Sequence, residues 1–194
     1  MSDLKSLVRH NNNPLLEIIY NAHYNYCLWW KLRGPERPKF IETMRRYILF
    51  FHTSIKSYFL TLIVSLYKLY DSNSKTNNFN KLLNLAKNEC TFSKEELIQL
   101  EEKFNKARVI WEKVVILRSN YFAHLNIKFD EKNLYKQANI TPNELGELIY
   151  ISLEFFNLIR EHYGEGKLGL INIEPDIKKL FKDLDVGFTQ NVNQ

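Results

Sequence analysis

Phe40, Met44, Tyr47, Phe51, Ile55, Tyr58, Leu62, Leu66 and Leu69 recur at steps of three or four residues. That spacing is the period of a helix with one apolar face; a half-buried strand would alternate every second residue. Ile48, Leu49, Phe59, Ile63 and Val64 widen the stripe, which places this helix at the centre of whatever core the chain builds. The pattern predicts a single helix from about Glu36 to Tyr70, ~50 Å long at 1.5 Å per residue.

Three further segments carry the same period. Asn13-Pro14-Leu15-Leu16-Glu17 is a helix start: Asn caps, Pro is tolerated in the first turn, and a carboxylate favours the positive helix end. This helix is expected to run to about Leu32, where RGPERP (33–38) breaks it. Ser93-Lys94-Glu95-Glu96 has the spacing of a capping box. It opens a helix whose apolar face continues through Leu97, Leu100, Phe104, Ala107, Trp111, Val114 or Val115, and Leu117 or Arg118. Thr141-Pro142-Asn143-Glu144 is a second capping box, followed by Leu145, Leu148, Ile149, Ser152, Phe155, Phe156 and Ile159, with Gly164 and Gly166 as the stop near Tyr163. DSNSKTNN (71–78) reads as a polar loop, 79–88 as a short helix, and 176–184 as a short amphipathic piece before a frayed FTQNVNQ tail.

No stretch alternates like a strand. The expectation is an all-α antiparallel bundle of about four main helices with short satellites. It forms a single domain over 1–194, with the core at about 14–163 and an extension at 164–194. Six Gly and five Pro in 194 residues are few for a turn-rich β sandwich. A net charge of +5 permits an anionic partner without implying one, because no dense Lys/Arg block accompanies it. Cys27 and Cys90 fit no zinc or redox spacing, and two unclustered thiols suit a reducing compartment. The opening residues show no apolar signal region. The uncharged part of the most apolar run, 57–67, is short for a bilayer. A cytoplasmic protein with no membrane association is expected.

The residues that carry chemistry are in ILRSNYFAHLN (116–126), at the far end of the third helix. Arg118 precedes His124 by six positions, with Asn120 between them. On the residues alone two accounts stay open. Cations suit a helix C-terminus by roughly 0.3–1 kcal/mol each, so the segment is a helix end and nothing more. Alternatively it acts on a phosphodiester. Metal-free RNA cleavage needs a group that moves a proton near neutrality, as His does. It also needs a fixed cation for the charge that spreads over the phosphate, as Arg supplies. Asn120 would orient the His or donate to a phosphate oxygen. On a straight helix Arg118 and His124 lie about 120° apart, so they share no face. Either the helix ends or distorts between them, or two copies of the chain pair their motifs across a twofold axis.

Arg-Ser-Asn-Tyr-Phe-Ala-His resembles the signature of HEPN domains, an Arg followed at a short interval by a His. TLIVSLYKLYDSNSKTNNFNKLLNLA (61–86) is similar to the long helix, aromatic-Asp pair, polar loop and small leucine-paired helix of the abortive-infection U branch. LRSNYFAH is similar to that branch's Leu-Arg-(Asp/Asn)-x-x-x-Ala-His. The resemblance covers about residues 15–163. It implies an all-α HEPN fold and a homodimer with facing motifs. It also implies metal-independent RNA cleavage, without a cofactor, as a toxin in antiviral or toxin–antitoxin defence. Arg118 would bind phosphate, His124 would transfer the proton, and a cognate antitoxin protein would be a partner. Ser119 stands where the family often has Asn or Asp, and Asn126 stands where nucleotidylated HEPN toxins have Tyr. The alternative is an inactive HEPN module that binds RNA or a partner protein.

Elsewhere, His23 is expected in the core or an interface, and His52 buried and hydrogen-bonded beside Lys56. Trp29, Trp30 and Trp111 are expected in the core, and Arg45 and Arg46 on a solvated face. No metalloprotease, P-loop, dinucleotide or nucleophile-elbow motif is present.

Overall fold

The computed structural model describes residues 4–9, 13–72, 76–123 and 131–192. Its helices are α1 (Leu4–Arg9), α2 (Pro14–Arg33), α3 (Ile41–Arg46), α4 (Ile48–Tyr70), α5 (Phe79–Asn88), α6 (Lys94–Ala123), α7 (Glu131–Ala138), α8 (Pro142–His162) and α9 (Glu174–Val192). No strand occurs among the described residues, so the protein is all-α, as its periodicity dictates.

The helix starts follow from local chemistry. Asn13 Oδ1 accepts from the Leu15 amide at 2.7 Å and caps α2. At α6 the Ser93 amide donates to Glu96 at 2.7 Å while the Glu96 amide donates to Ser93 Oγ at 3.2 Å. The Thr141–Glu144 box does the same for α8. Each cap contributes about 1 kcal/mol. At the other end of α8, Gly164 takes a φ of 74°, and the Gly164 and Glu165 amides donate back to the carbonyls of Glu161 and Arg160.

α2, α4, α6 and α8 form the bundle, with α6 antiparallel to both its neighbours. Phe59 and Tyr70 of α4 face Tyr121 and Phe104 of α6. Lys113 and Lys103 of α6 reach Glu144 and Glu154 of α8. The alternatives on the third helix resolve in favour of Val114 and Leu117, both fully buried. Every expected core residue of α8 is buried, Ser152 included; its hydroxyl donates to the Leu148 carbonyl at 2.7 Å and meets Tyr70 Oη at 2.9 Å.

Four expectations need correction. The helix expected over 36–70 is broken: a 3₁₀ turn (Arg37–Phe40) and α3 precede a non-helical Tyr47, at φ −119° and ψ 44°. The break wraps the chain around α9, where the Phe181 ring lies 4.2 Å from Phe40 and 5.4 Å from Phe51. Such a partner is distant in sequence, so local periodicity reads straight through the break. Second, Ile48 and Leu49 do not widen the buried stripe; with Phe50 they are among the most exposed large side chains described. Third, His52 is exposed and not buried. Fourth, the last amphipathic segment does not stop at Leu184: α9 continues to Val192. α4, 23 residues long with an 18-residue stretch of mean hydropathy 1.4, is long and apolar enough by composition to cross a membrane, beyond what its uncharged part alone suggested.

The remaining side chains fall closer to expectation. Trp29 is buried, while Trp30 and Trp111 pack half-buried against the core. His23 meets the Ile171 carbonyl at 2.9 Å. Arg45 and Arg46 are exposed and pair with Glu42 and Asp185.

Candidate active site

The motif's described residues, 116–123, occupy the last turns of α6. That helix is 30 residues long, capped at its start and buried along one side by Leu100, Phe104, Ala107, Ile110, Val114, Leu117 and Tyr121. A side chain projecting from such a helix has a fixed origin, as a catalytic group requires.

Arg118 is half-buried and lies with its guanidinium carbon 4.2 Å over the centroid of the Tyr67 ring of α4. At that distance cation and ring attract, by about 0.5–2 kcal/mol depending on desolvation. Trp111, seven residues before Arg118 and so on the same stripe of α6, also touches Tyr67. Its indole Nε1–H donates to the Tyr67 carbonyl at 3.0 Å and the two rings are 6.0 Å apart. Asn120 is partly exposed and donates from Nδ2 to Gln137 Oε1 of α7 at 3.1 Å, tying that short helix to the motif. His124 lies outside the described residues. Helix α6 is unbroken from Arg118 to Ala123, so distortion within that span is not what would bring Arg118 and His124 together.

Below the motif, Tyr121 packs on Phe59, which also meets Tyr135 of α7 and Trp29 of α2. This aromatic cluster joins four helices under the site. One and a half turns before Arg118, Lys113 pairs with Glu144, whose carboxyl is held below its usual range. Partial burial opposes that shift, and the Lys113 and Thr141 hydrogen bonds outweigh it. Among the described residues no three His, Cys, Asp or Glu side chains gather as metal ligands.

The chain matches the AbiU2 family of HEPN domains over residues 4–179, wider than the 15–163 that the motifs alone cover. It belongs to that family. No curated protein and no solved structure matched it. As an AbiU2-family protein it is an abortive-infection-related HEPN domain, and Arg118 and Asn120 stand on α6 within the matched span. Sequence reasoning missed Tyr67 and Gln137. Neither lies near the motif in the chain, and neither belongs to a spacing that marks chemistry; only the packing of α4 and α7 on α6 reveals them.

Proposed function

We propose that this AbiU2-family protein is a metal-independent endoribonuclease toxin of an abortive-infection system, working in the cytoplasm as a homodimer with a composite Arg/His site. The observation that carries the proposal is the placement of Arg118, a permanently charged forked donor fixed over an aromatic ring on the rigid end of α6. Its role is to bind a non-bridging phosphate oxygen as charge accumulates there. His124 removes the proton of the ribose 2′-hydroxyl or supplies one to the departing 5′-oxygen. The 2′-oxygen attacks phosphorus, the bond from phosphorus to the 5′-oxygen breaks, and the products are a 2′,3′-cyclic phosphate and a 5′-hydroxyl. The proton lost from the 2′-hydroxyl balances the one gained by the leaving oxygen.

A second copy supports this chemistry, because the two groups do not share a face of one straight helix. α4 runs antiparallel to α6 with Phe59 opposite Tyr121, so residues before Phe59 extend past the motif end of α6. There Tyr47, Ile48, Leu49 and Phe50 are 41%, 64%, 80% and 60% exposed. They present apolar surface on the order of 400 Å². That is about half of what one partner buries in a standard interface. The rim carries both signs, Glu42 beside Arg45 and Asp185 beside Arg46. Such a rim is self-complementary across a twofold axis, and it has no net sign with which to select an anionic partner.

The test is cleavage of RNA by the purified protein in EDTA, beside His124→Ala and Arg118→Ala. Loss of proton transfer is expected to cost about 10²–10⁴-fold. Loss of the charge-stabilising donor is expected to cost about 10²–10³-fold. If the wild type cuts no RNA yet binds it, the protein is an inactive RNA-binding module; if His124→Ala cuts as well as wild type, the assigned chemistry is wrong.

A further inference from the structure

Two side chains of α6, one aromatic and one cationic, meet at Tyr67, and their spacing is set by the helix. Trp111 and Arg118 are seven residues apart on α6, two near-complete turns, so both point to the same side. The rise between them is about 10.5 Å at 1.5 Å per residue. Tyr67 bridges that rise, 6.0 Å from the indole and 4.2 Å from the guanidinium carbon. The bridge is locked from the indole side, because the Trp111 Nε1–H donates to the carbonyl of Tyr67 itself. The ring, its own backbone and the helix that carries the motif therefore hold one another.

The consequence concerns Arg118. An arginine carries about 2 kcal/mol of rotamer freedom, and a phosphate bound by a wandering guanidinium must first immobilise it. A ring stacked on its face removes much of that freedom in advance. The N–H donors lie in the guanidinium plane, so face stacking leaves the direction of donation defined and does not compete for it. We propose that Tyr67, backed by Trp111, is a positioning residue that pre-organises Arg118 for the phosphate. This rests on the nuclease reading above, and Tyr67 itself touches no reacting atom.

The experiment compares Tyr67→Phe, Tyr67→Leu and Arg118→Ala in RNA cleavage, with a double-mutant cycle between Tyr67→Leu and Arg118→Met read by denaturant unfolding. Tyr67→Phe keeps the face and is expected to cleave like wild type. Tyr67→Leu is expected to lose about three- to thirty-fold in kcat/KM, the range of a cation–π contact, and the loss is expected in kcat because a loosened Arg118 fails at the transition state. In Arg118→Ala the further change Tyr67→Leu is expected to have no effect on the residual rate. The unfolding cycle is expected to show coupling between 67 and 118 with or without RNA. Absent coupling, or undiminished cleavage in Tyr67→Leu while Arg118→Ala is inactive, overturns the positioning role and leaves the nuclease standing. Coupling without any cleavage by the wild type overturns both: the nuclease by the missing activity, the positioning role because nothing remains to be positioned. Equal loss in Tyr67→Phe and Tyr67→Leu also overturns it, since the ring would then not be the active element.

Discussion

Leu49→Asp separates dimerisation from folding. Leu49 is 80% exposed in one copy, so replacing it leaves the monomer's stability within about 0.5 kcal/mol. In a twofold interface the same side chain is buried twice. Burying a whole leucine is worth about 1.5–3 kcal/mol, so four-fifths of that from each of two copies gives roughly 2.5–5 kcal/mol. An unpaired carboxylate put in its place adds its own desolvation cost. At 1.4 kcal/mol per decade the dissociation constant rises about 10²-fold or more. Light scattering over a concentration series reads the mass, and thermal unfolding at high dilution reads the monomer. Leu49→Asp is expected to run as a folded monomer where the wild type is a dimer, and RNA cleavage is expected to fall with the dimer. A wild-type monomer at every concentration, or a Leu49→Asp dimer as tight as wild type, refutes the assignment of this face. A monomeric variant that cleaves at full rate refutes the composite site instead.

Two further predictions concern the scaffold. Arg160 is nearly fully buried, donates to the Val8 carbonyl at 2.6 Å and to the Gly166 carbonyl at 3.1 Å, and so ties α1 to the end of α8. Arg160→Met is expected to lower stability by about 3 kcal/mol, chiefly because the buried Val8 carbonyl loses its donor; a Tm within a degree of wild type would count against this. Glu174, bonded first by Lys178 and then by Lys31, has its carboxyl pushed down to about 2. A depressed folded-state value adds stability above the ordinary range near 4.5 and forfeits it as pH falls from there towards 2. Glu174→Gln is therefore expected to flatten the acid limb of a stability–pH curve over that window and to leave its neutral limb's slope alone. An acid limb equally steep in the variant would assign the effect to other carboxylates.

What the sequence made legible was everything fixed by neighbours three or four residues apart. The caps at Asn13, Ser93 and Thr141, the stop at Gly164 and the buried stripes of α6 and α8 are decided by contacts inside a single helical turn or along one face. The errors share the opposite origin. Nothing local tells Tyr47 to leave the helix, since neither Pro nor Gly stands there; the break lies between Phe40 and Phe51, which both pack on Phe181, far on in the chain. Ile48 and Leu49 have the composition of a core and yet stand exposed. Periodicity scores apolarity and cannot say whether the fold covers it.

The candidate site divides along the same line. Arg118 and Asn120 could be named from the motif, because their residue types alone suggest phosphate chemistry. Their surroundings could not. Arg118 also sat on the expected apolar face of α6 as an alternative to Leu117, and the structure shows why a cation tolerates that position: the place an aliphatic side chain would have filled is faced by the Tyr67 ring, which accepts positive charge as readily as apolar surface. A leucine there would pack on Tyr67 as well and would bind no phosphate. The contact with Tyr67 by itself therefore does not demand an arginine at 118. The dispensability of that charge to the fold is testable: Arg118→Leu is expected to unfold at the wild-type denaturant midpoint or above it while losing cleavage. A variant that unfolds earlier by more than about 2 kcal/mol, beyond what the lost cation–π contact accounts for, would show that the arginine is structural.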